Sequence, residues 1–350
     1  MTSTTAPATA PAPARPAGRP PAPGPDRPRT AVRTARRRAV LVGDGPTAEA
    51  VRDAPAGPHA DVVDLVADLV GGSASSEAAD VDRLVRETAP DVVVVASSRP
   101  TAAVVAALDT GADVVLDGAP AGAGEIYTLA EAVRRAEGRL SAAFDDRYAA
   151  AAAELRRVVA DGRLGTVVSA HAEWLHANRD PRTAAARTSR RADMLGWWID
   201  DLPVSVFAQG PGSTGRASGV ASGHGMVLGY QDGATVTCSE TAGGPRTGYR
   251  VAVNGTLGRA DLEVVHGQGA RLVVHRHGGG ADVVLDAGAV ATDGRSAMLR
   301  ALLAGGDDAG PLRRRADGSD LLRAAGVAAA AARSAASGRA VPLSALGLAL

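Results

Sequence analysis

AVLVGDGPTAEAV, residues 39–51, decides how the rest of the chain is read. Ala39-Val40-Leu41-Val42 is a continuous apolar run, as a parallel strand covered on both faces requires. Gly43-Asp44-Gly45-Pro46-Thr47-Ala48 follows as a G-x-G-x-x-A turn, and a short helix is expected over Thr47–Arg52. In such a turn the first glycine permits the tight bend and the second lets the backbone approach a pyrophosphate. The small third residue lets helix and strand pack closely. The helix N-terminus then offers free N–H groups and a positive dipole end to phosphate. Alone the motif is weak; a strand before it and a helix after it raise its value. Gly43, Asp44, Gly45, Pro46 and Thr47 are therefore candidate ligands of NAD or NADP. Pro46 removes one N–H from the turn, which leaves open a vestigial turn in a sugar-binding protein that uses no dinucleotide.

Working outward, strand and helix signals alternate. A second strand is expected within Asp61–Asp68, where Asp68 at its end is the candidate for the ribose hydroxyls and Asp64 the alternative. A carboxylate there slightly favours NAD over NADP. Helices are expected over 81–88, 100–111 and 124–138, with strands over 91–97, 113–116 and 140–144. This alternation means a doubly wound parallel sheet. Ser97, Ser98 and Arg99 after one strand and Pro120 after the next are further candidate cofactor contacts, because ligands gather beyond the carboxyl ends of such strands.

After a helix over 149–161 the grammar changes to short strands and hairpins. TVVSAHAEWL and PVSVFAQG are strands; turns are expected at Gln231–Gly233, Asn254-Gly255 and Gly278–Gly280. Helices over 296–304 and 319–337 close the chain. The expected fold class is an α/β Rossmann doubly wound parallel sheet followed by an α+β domain with a large open antiparallel sheet. The expected organisation is a disordered tail over 1–36, a dinucleotide-binding domain over 37–146 and a second domain over 147–350, its last helix packing back on the first. The tail follows from nine prolines in the first thirty residues without apolar periodicity.

Composition narrows the function. The 350 residues carry 38 basic and 38 acidic side chains, which argues against nucleic-acid and membrane-surface partners. Every basic residue is arginine, so chemistry that needs a lysine is excluded. Cys238 stands alone and no metal-ligand spacing occurs, so no metal is expected. No apolar run approaches the ~20 residues of a membrane span. Arg36-Arg37-Arg38 precedes an apolar run too short for an export signal, and a cytoplasmic location is expected.

The chain resembles the glucose–fructose oxidoreductase / inositol dehydrogenase (Gfo/Idh/MocA) family over about residues 38–345. AVLVGDGPTAEAV, APDVVVVASSRPTAAVVAALDTGADVVLDGAP, LRRVVADGRLGTVVSAHAEW, YRVAVNGTLGRADLEV and LLRAAGVAAAAARSAASGRAVPL carry the resemblance. It implies an NAD(P)-dependent oxidoreductase that passes hydride to or from a sugar-like or other small alcohol or carbonyl, and a homo-oligomer through the C-terminal sheet. Two departures from the family pattern stand out. Gly118-Ala119-Pro120 replaces Glu-Lys-Pro, whose lysine lies near nicotinamide and substrate, and Asp117 is the titratable group left in that loop. Alignment on DMLGWW puts Ala186 and Arg190 where the family has Asp and His, with Asp193 at a retained Asp. The alternative function is thus a catalytically degenerate dinucleotide-binding or partner subunit. Asp117, His176 and Arg190 are the candidate catalytic residues. Asp145, Arg179 and Asp193 are the candidates for substrate. The arginine-rich stretch 179–193 reads as a solvated flexible loop ahead of an anion site.

Overall fold

The computed structural model describes residues 37–53, 63–69, 74–120, 122–177, 184–210, 223–242, 245–289, 294–304, 312 and 315–346. The expected tail, 1–36, and Arg179 lie outside these residues.

The first sheet grows from β1 (Arg37–Gly43), flanked by β2 (Val63–Leu69) and β3 (Val92–Ala96), both parallel to it. Beyond β3 come β4 (Asp113–Leu116) and β5 (Leu140–Ala142), also parallel, and the antiparallel edge strand β14 (Ala316–Asp317). Strand side chains alternate between faces. Val40, Val42, Val93, Val95, Val114 and Leu116 thus enter one core, shared with α2 (Ala74–Thr88), α3 (Thr101–Leu108) and α4 (Ala123–Arg135). Ala39, Leu41, Val92, Val94 and Val115 enter another, shared with α1 (Pro46–Arg52) and the late helix α7 (Arg295–Leu303). Continuous apolar strands therefore face helices on both sides, as the sequence predicts.

The second sheet has nine strands: β6 (Val167–His176), β7 (Pro203–Gln209), β8 (Gly223–Tyr230), β9 (Thr235–Ala242), β10 (Gly248–Gly255), β11 (Gly258–Val265), β12 (Gly269–Arg276), β13 (Ala281–Gly288) and β15 (Val341–Pro342). Their order is β13-β12-β11-β10-β6-β9-β8-β7-β15. The sheet is antiparallel apart from one parallel pair, β6 with β9. That pair is the one departure from the expected antiparallel pattern: the β8–β9 hairpin inserts beside β6 in the direction β6 already runs. The turn expected at Asn254-Gly255 falls at Thr256-Leu257, because Asn254 is still paired with Arg259 in the ladder.

One face of this sheet is covered by α5 (Ala150–Ala160), α6 (Ala184–Ile199) and α8 (Gly318–Ser337). α8 is started by a capping box, in which Asp317 accepts from the N–H groups of Ser319 and Asp320. Its first half, with Leu321, Leu322 and Ala325, belongs to the first sheet's core; its second half, with Val327, Ala330 and Ala331, belongs to the second sheet's core. A short 3₁₀ turn, Asp145–Tyr148, follows β5 and leads into α5.

Candidate functional site

The chain leaves β1 towards β2 on one side and β3 on the other, so the crevice of a doubly wound sheet opens at their carboxyl ends. There Gly43 has φ 99°, and a Cβ on it would meet the Ala96 carbonyl oxygen at 2.0 Å. The close approach is fixed by the Asp44 N–H, which donates to that oxygen at 3.0 Å. Gly45 has φ 109° and nothing within 4 Å of where its Cβ would stand. The first glycine is consumed by packing, and the second leaves a bare stretch of backbone facing open space. Arg52 braces the turn from behind, donating to the Gly43 carbonyl at 2.8 Å and pairing with Asp44 at 3.0 Å. Thr47 is buried, and its hydroxyl donates to Asp117 at 2.6 Å, tying α1 to the loop after β4.

The other cofactor candidates surround this crevice. Ser97, Ser98 and Arg99 turn out of β3, with the Ser97 hydroxyl accepting from the Arg99 N–H at 3.2 Å. Pro120 is buried behind the β4 loop. Asp68 stands beside Leu41 at the carboxyl end of β2, whereas Asp64 stands beside Arg38 at the far end. Of the two ribose candidates, Asp68 is therefore the one at the crevice.

The β4 loop accounts for small residues at 118 and 119. A Cβ on Gly118 would meet the Ser97 carbonyl oxygen at 2.8 Å, and Ala119 is buried. The loop is drawn too close to β3 to carry larger side chains at these positions without moving. A cation reaches the region from another direction. Arg190 on α6 donates to the Ala143 carbonyl at 2.7 Å, closely to Asp145, and to Asp146 at 3.3 Å. Its guanidinium lies over Phe144, 6.0 Å from the ring centre. Burial lowers its pKa to about 10; Asp117 opposes that shift, while Arg191 and Arg295 add to it. It remains a cation at neutral pH, facing Asp117, Asp145 and Asp146.

The arginine-rich stretch is helix α6 from Ala184 onward, which corrects the reading of it as a solvated loop. Arg190, Asp193 and Trp197 recur at helical spacing and share a face turned to the 3₁₀ turn. Asp193 is consumed by that contact, since one of its oxygens accepts from Arg147 Nε at 2.8 Å and the other from Arg147 Nη2. Asp320 adds a second carboxylate to Arg147 at 3.4 Å, and Trp197 lies under it at 5.7 Å. Burial raises the Asp193 carboxyl to about 6 against the pull of Arg147. Asp145 is held between Arg190 and Arg295, the latter at 3.3 Å.

Arg191 and Trp198 face β6. The alternation of β6 buries Ala172, Trp174 and His176 on that side, and Arg191 lies 4.7 Å over the Trp174 ring. His176 Nε2 stands 3.2 Å from Arg191 Nη2 and 3.3 Å from Glu240, which also pairs with Arg187 at 3.1 Å. Burial would raise the Glu240 carboxyl, but the His176 hydrogen bond and the charges of Arg191 and Arg187 outweigh it and hold the pKa at about 2. Its ordinary value is 4.5, so the stability it contributes is complete above that pH and is lost as pH falls towards about 2. The shift corresponds to up to about 3 kcal/mol. Glu240→Gln is expected to flatten the stability profile between those limits, read by urea unfolding at a series of pH values.

Glu240 and Asp320 were not singled out from sequence; Arg191 was named only among the arginines of the stretch 179–193, and Asp146 and Arg147 only within the stretch 144–148. The signal lay in Arg147, which follows two acids that look solvated until α6 is folded over them. Among the described residues no group of three or more His, Cys, Asp or Glu is placed to hold a metal ion. No helix among them is long and apolar enough to cross a membrane.

No family model matches the chain. A curated Bacillus subtilis protein named "Putative oxidoreductase YteT" is 26% identical over 147 residues, which are 37% of this chain and 34% of that protein. The match thus spans about a third of that relative's length. Solved structures match far more widely. An oxidoreductase from Sinorhizobium meliloti superposes with a TM-score of 0.70 at 14% identity, over 88% of this chain and 99% of its own. An inositol dehydrogenase homologue from Azotobacter vinelandii, complexed with NADH and myo-inositol, gives 0.66 at 17% identity over 89% and 98%. An aldose–aldose oxidoreductase from Caulobacter crescentus, complexed with glycerol, gives 0.64 at 17% identity over 88% and 100%. The chain has the fold of these oxidoreductases, the one expected from its resemblance to the Gfo/Idh/MocA family: a doubly wound Rossmann sheet followed by a large open sheet.

Proposed function

We propose that the chain is an NAD(P)-dependent oxidoreductase acting on a small alcohol or carbonyl compound. The observation that carries this reading is the Gly43–Thr47 turn. Its second glycine faces open space at the crevice of a Rossmann sheet, in a fold shared with a protein solved with NADH. The residues present fit a dinucleotide. Pro46 costs the helix nothing as its first residue, since that N–H has no intrahelical acceptor. The Thr47 and Ala48 N–H groups in the first turn remain for pyrophosphate. Asp68, at the crevice end of β2, would take the ribose hydroxyls, which favours NAD.

The bound nicotinamide would supply or accept the hydride. Asp117 suits the proton step best among the three catalytic candidates, because it lies at the carboxyl end of β4 and is oriented by the Thr47 hydroxyl. Arg190 has its terminal nitrogens committed to Ala143, Asp145 and Asp146, so its part is to hold positive charge near Asp117. His176, engaged with Arg191 and Glu240 on the second sheet, is a positioning residue in this scheme. The substrate candidates Asp145 and Asp193 are likewise held by arginines. A homo-oligomer would form through the outer face of the nine-stranded sheet, where Phe207 and Val227 pair across β7 and β8.

Calorimetric titration with NADH and NADPH tests the reading. Micromolar binding is expected, tighter for NADH. Gly45→Ala is expected to weaken it at least tenfold while costing the fold about 1–3 kcal/mol, the strain of a side chain in an extended positive-φ conformation with no tertiary neighbour to clash with. Asp117→Asn is expected to lower turnover about 100-fold with cofactor affinity unchanged. No binding at millimolar cofactor would refute the oxidoreductase. Binding with no turnover across alcohol and aldehyde panels would identify a dinucleotide-binding subunit.

A further inference from the structure

A cavity of about 210 Å³ lies between α6, α8 and strands β7, β8 and β9. No residue of β1–β5 lines it, so it stands apart from the dinucleotide crevice. Its walls are mainly methyl groups: Ala328, Ala331, Ala332 and Ala335 from one face of α8, with Ala208 and Met226 from the sheet. An apolar cavity of roughly 150 Å³ holds benzene, so this one has room for a six-membered ring with a small substituent. A polyol suits it poorly, because each hydroxyl buried against methyl groups without a partner costs about 1–3 kcal/mol.

One end of the cavity is charged. Arg191 lines it with a side chain only 9% exposed, and its Nε has no hydrogen-bond partner; Glu240 lines the same end, its carboxylate engaged with Arg187 and His176. Arg191 Nη2 shares His176 Nε2 with Glu240, at 3.2 and 3.3 Å. One ring nitrogen cannot serve both groups. Protonated, it donates to Glu240 and leaves Nη2 without that acceptor; bare, it accepts from Arg191 and gives Glu240 nothing. Glu240 has a further partner in Arg187, 3.1 Å away, while the nearest Asp146 oxygen is 3.9 Å from Arg191. Arg191 is thus a buried guanidinium short of acceptors at the end of an apolar cavity. Its fork of donors matches a carboxylate.

We propose that this cavity binds a small monocarboxylate with an apolar body, about the size of benzoate, its carboxylate facing Arg191.

The test uses the full-length protein and sodium benzoate, without cofactor. Binding is measured by calorimetry. In parallel, alkylation of Cys238, the chain's single cysteine and part of the same wall, is followed by mass spectrometry. Saturable binding is expected, with alkylation slowing in proportion to occupancy. Benzyl alcohol keeps the ring and lacks the carboxylate, and it should bind about tenfold more weakly or worse, the loss of a charge-assisted hydrogen bond. Arg191→Gln should erase that preference. Ala332→Trp covers the test in case the buried replacement disturbs folding: Ala332 is exposed at the mouth, and the indole should block entry and remove protection of Cys238. No saturable binding, equal binding of benzyl alcohol, or unchanged benzoate binding in Ala332→Trp would each overturn the proposal. Because no cofactor takes part, this outcome and that of the NADH titration are independent.

Discussion

Asp193→Ala is expected to cost about 3–5 kcal/mol of stability, the usual penalty for leaving one member of a buried ion pair uncompensated. Arg147 is only 4% exposed in its side chain and Asp193 only 2%, so the guanidinium that would remain is largely desolvated. Asp320 at 3.4 Å compensates in part, but it is shared with Arg323 and the Asp317 N–H. The pair is costly to break without being a large source of stability. Desolvation of both charges offsets most of their attraction, so Arg147→Met combined with Asp193→Leu is expected to recover most of the loss. Urea unfolding of the wild type, the single variant and the double variant measures both effects. A loss under about 1 kcal/mol for Asp193→Ala would mean that the guanidinium finds other partners.

Gly43→Ala is expected to damage the first sheet itself. The new methyl would stand 2.0 Å from the Ala96 carbonyl oxygen, and that oxygen is backbone, so no rotamer change relieves the overlap. The positive φ adds about 1–2 kcal/mol, and overpacking against a fixed neighbour adds about 1–3 kcal/mol. A total of about 2–5 kcal/mol should appear as a lowered urea midpoint, with dinucleotide affinity lost because β1 and β3 are pushed apart. Gly45→Ala separates the two roles, since it carries the strain of positive φ without the overlap with the Ala96 carbonyl and so disturbs affinity with a smaller effect on stability. Equal destabilisation by both substitutions would show that the two glycines are alike and that the turn has no specialised open side.

The contrast between these glycines was legible in part. Strand, turn and helix around residues 39–52 follow from apolar continuity and glycine spacing, and the structure keeps them to within two residues. The alternation through β5 and the hairpins of the second sheet were equally readable, because period and turn chemistry are local. What escaped depends on distant segments. The parallel pairing of β6 with β9 is decided by where a hairpin inserts, and two-residue strands such as β14 and β15 carry no pattern of their own. The arginine-rich first turns of helix α6 were hidden because Arg190 and Arg191 resemble solvent-facing residues until Asp145, Asp146, His176 and Glu240 are brought to them from other elements. That Ala119 stands where the resemblance implies a lysine was visible; the guanidinium approaching from α6 was visible only as an arginine in an aligned position.

Helix α8 has a consequence for the order in which the molecule can be assembled. Strands β1–β5 leave the ribosome before the second sheet's strands β6–β13, whereas α7, which covers one of their faces, and α8 and β14, which complete the other, follow only after those strands. N-terminal domains generally fold first during synthesis. Here the valine-rich first sheet must wait, partly uncovered, until residues near 325 have left the exit tunnel, and the same helix then closes the second core. A chain that stops anywhere before α8 leaves both cores unfinished.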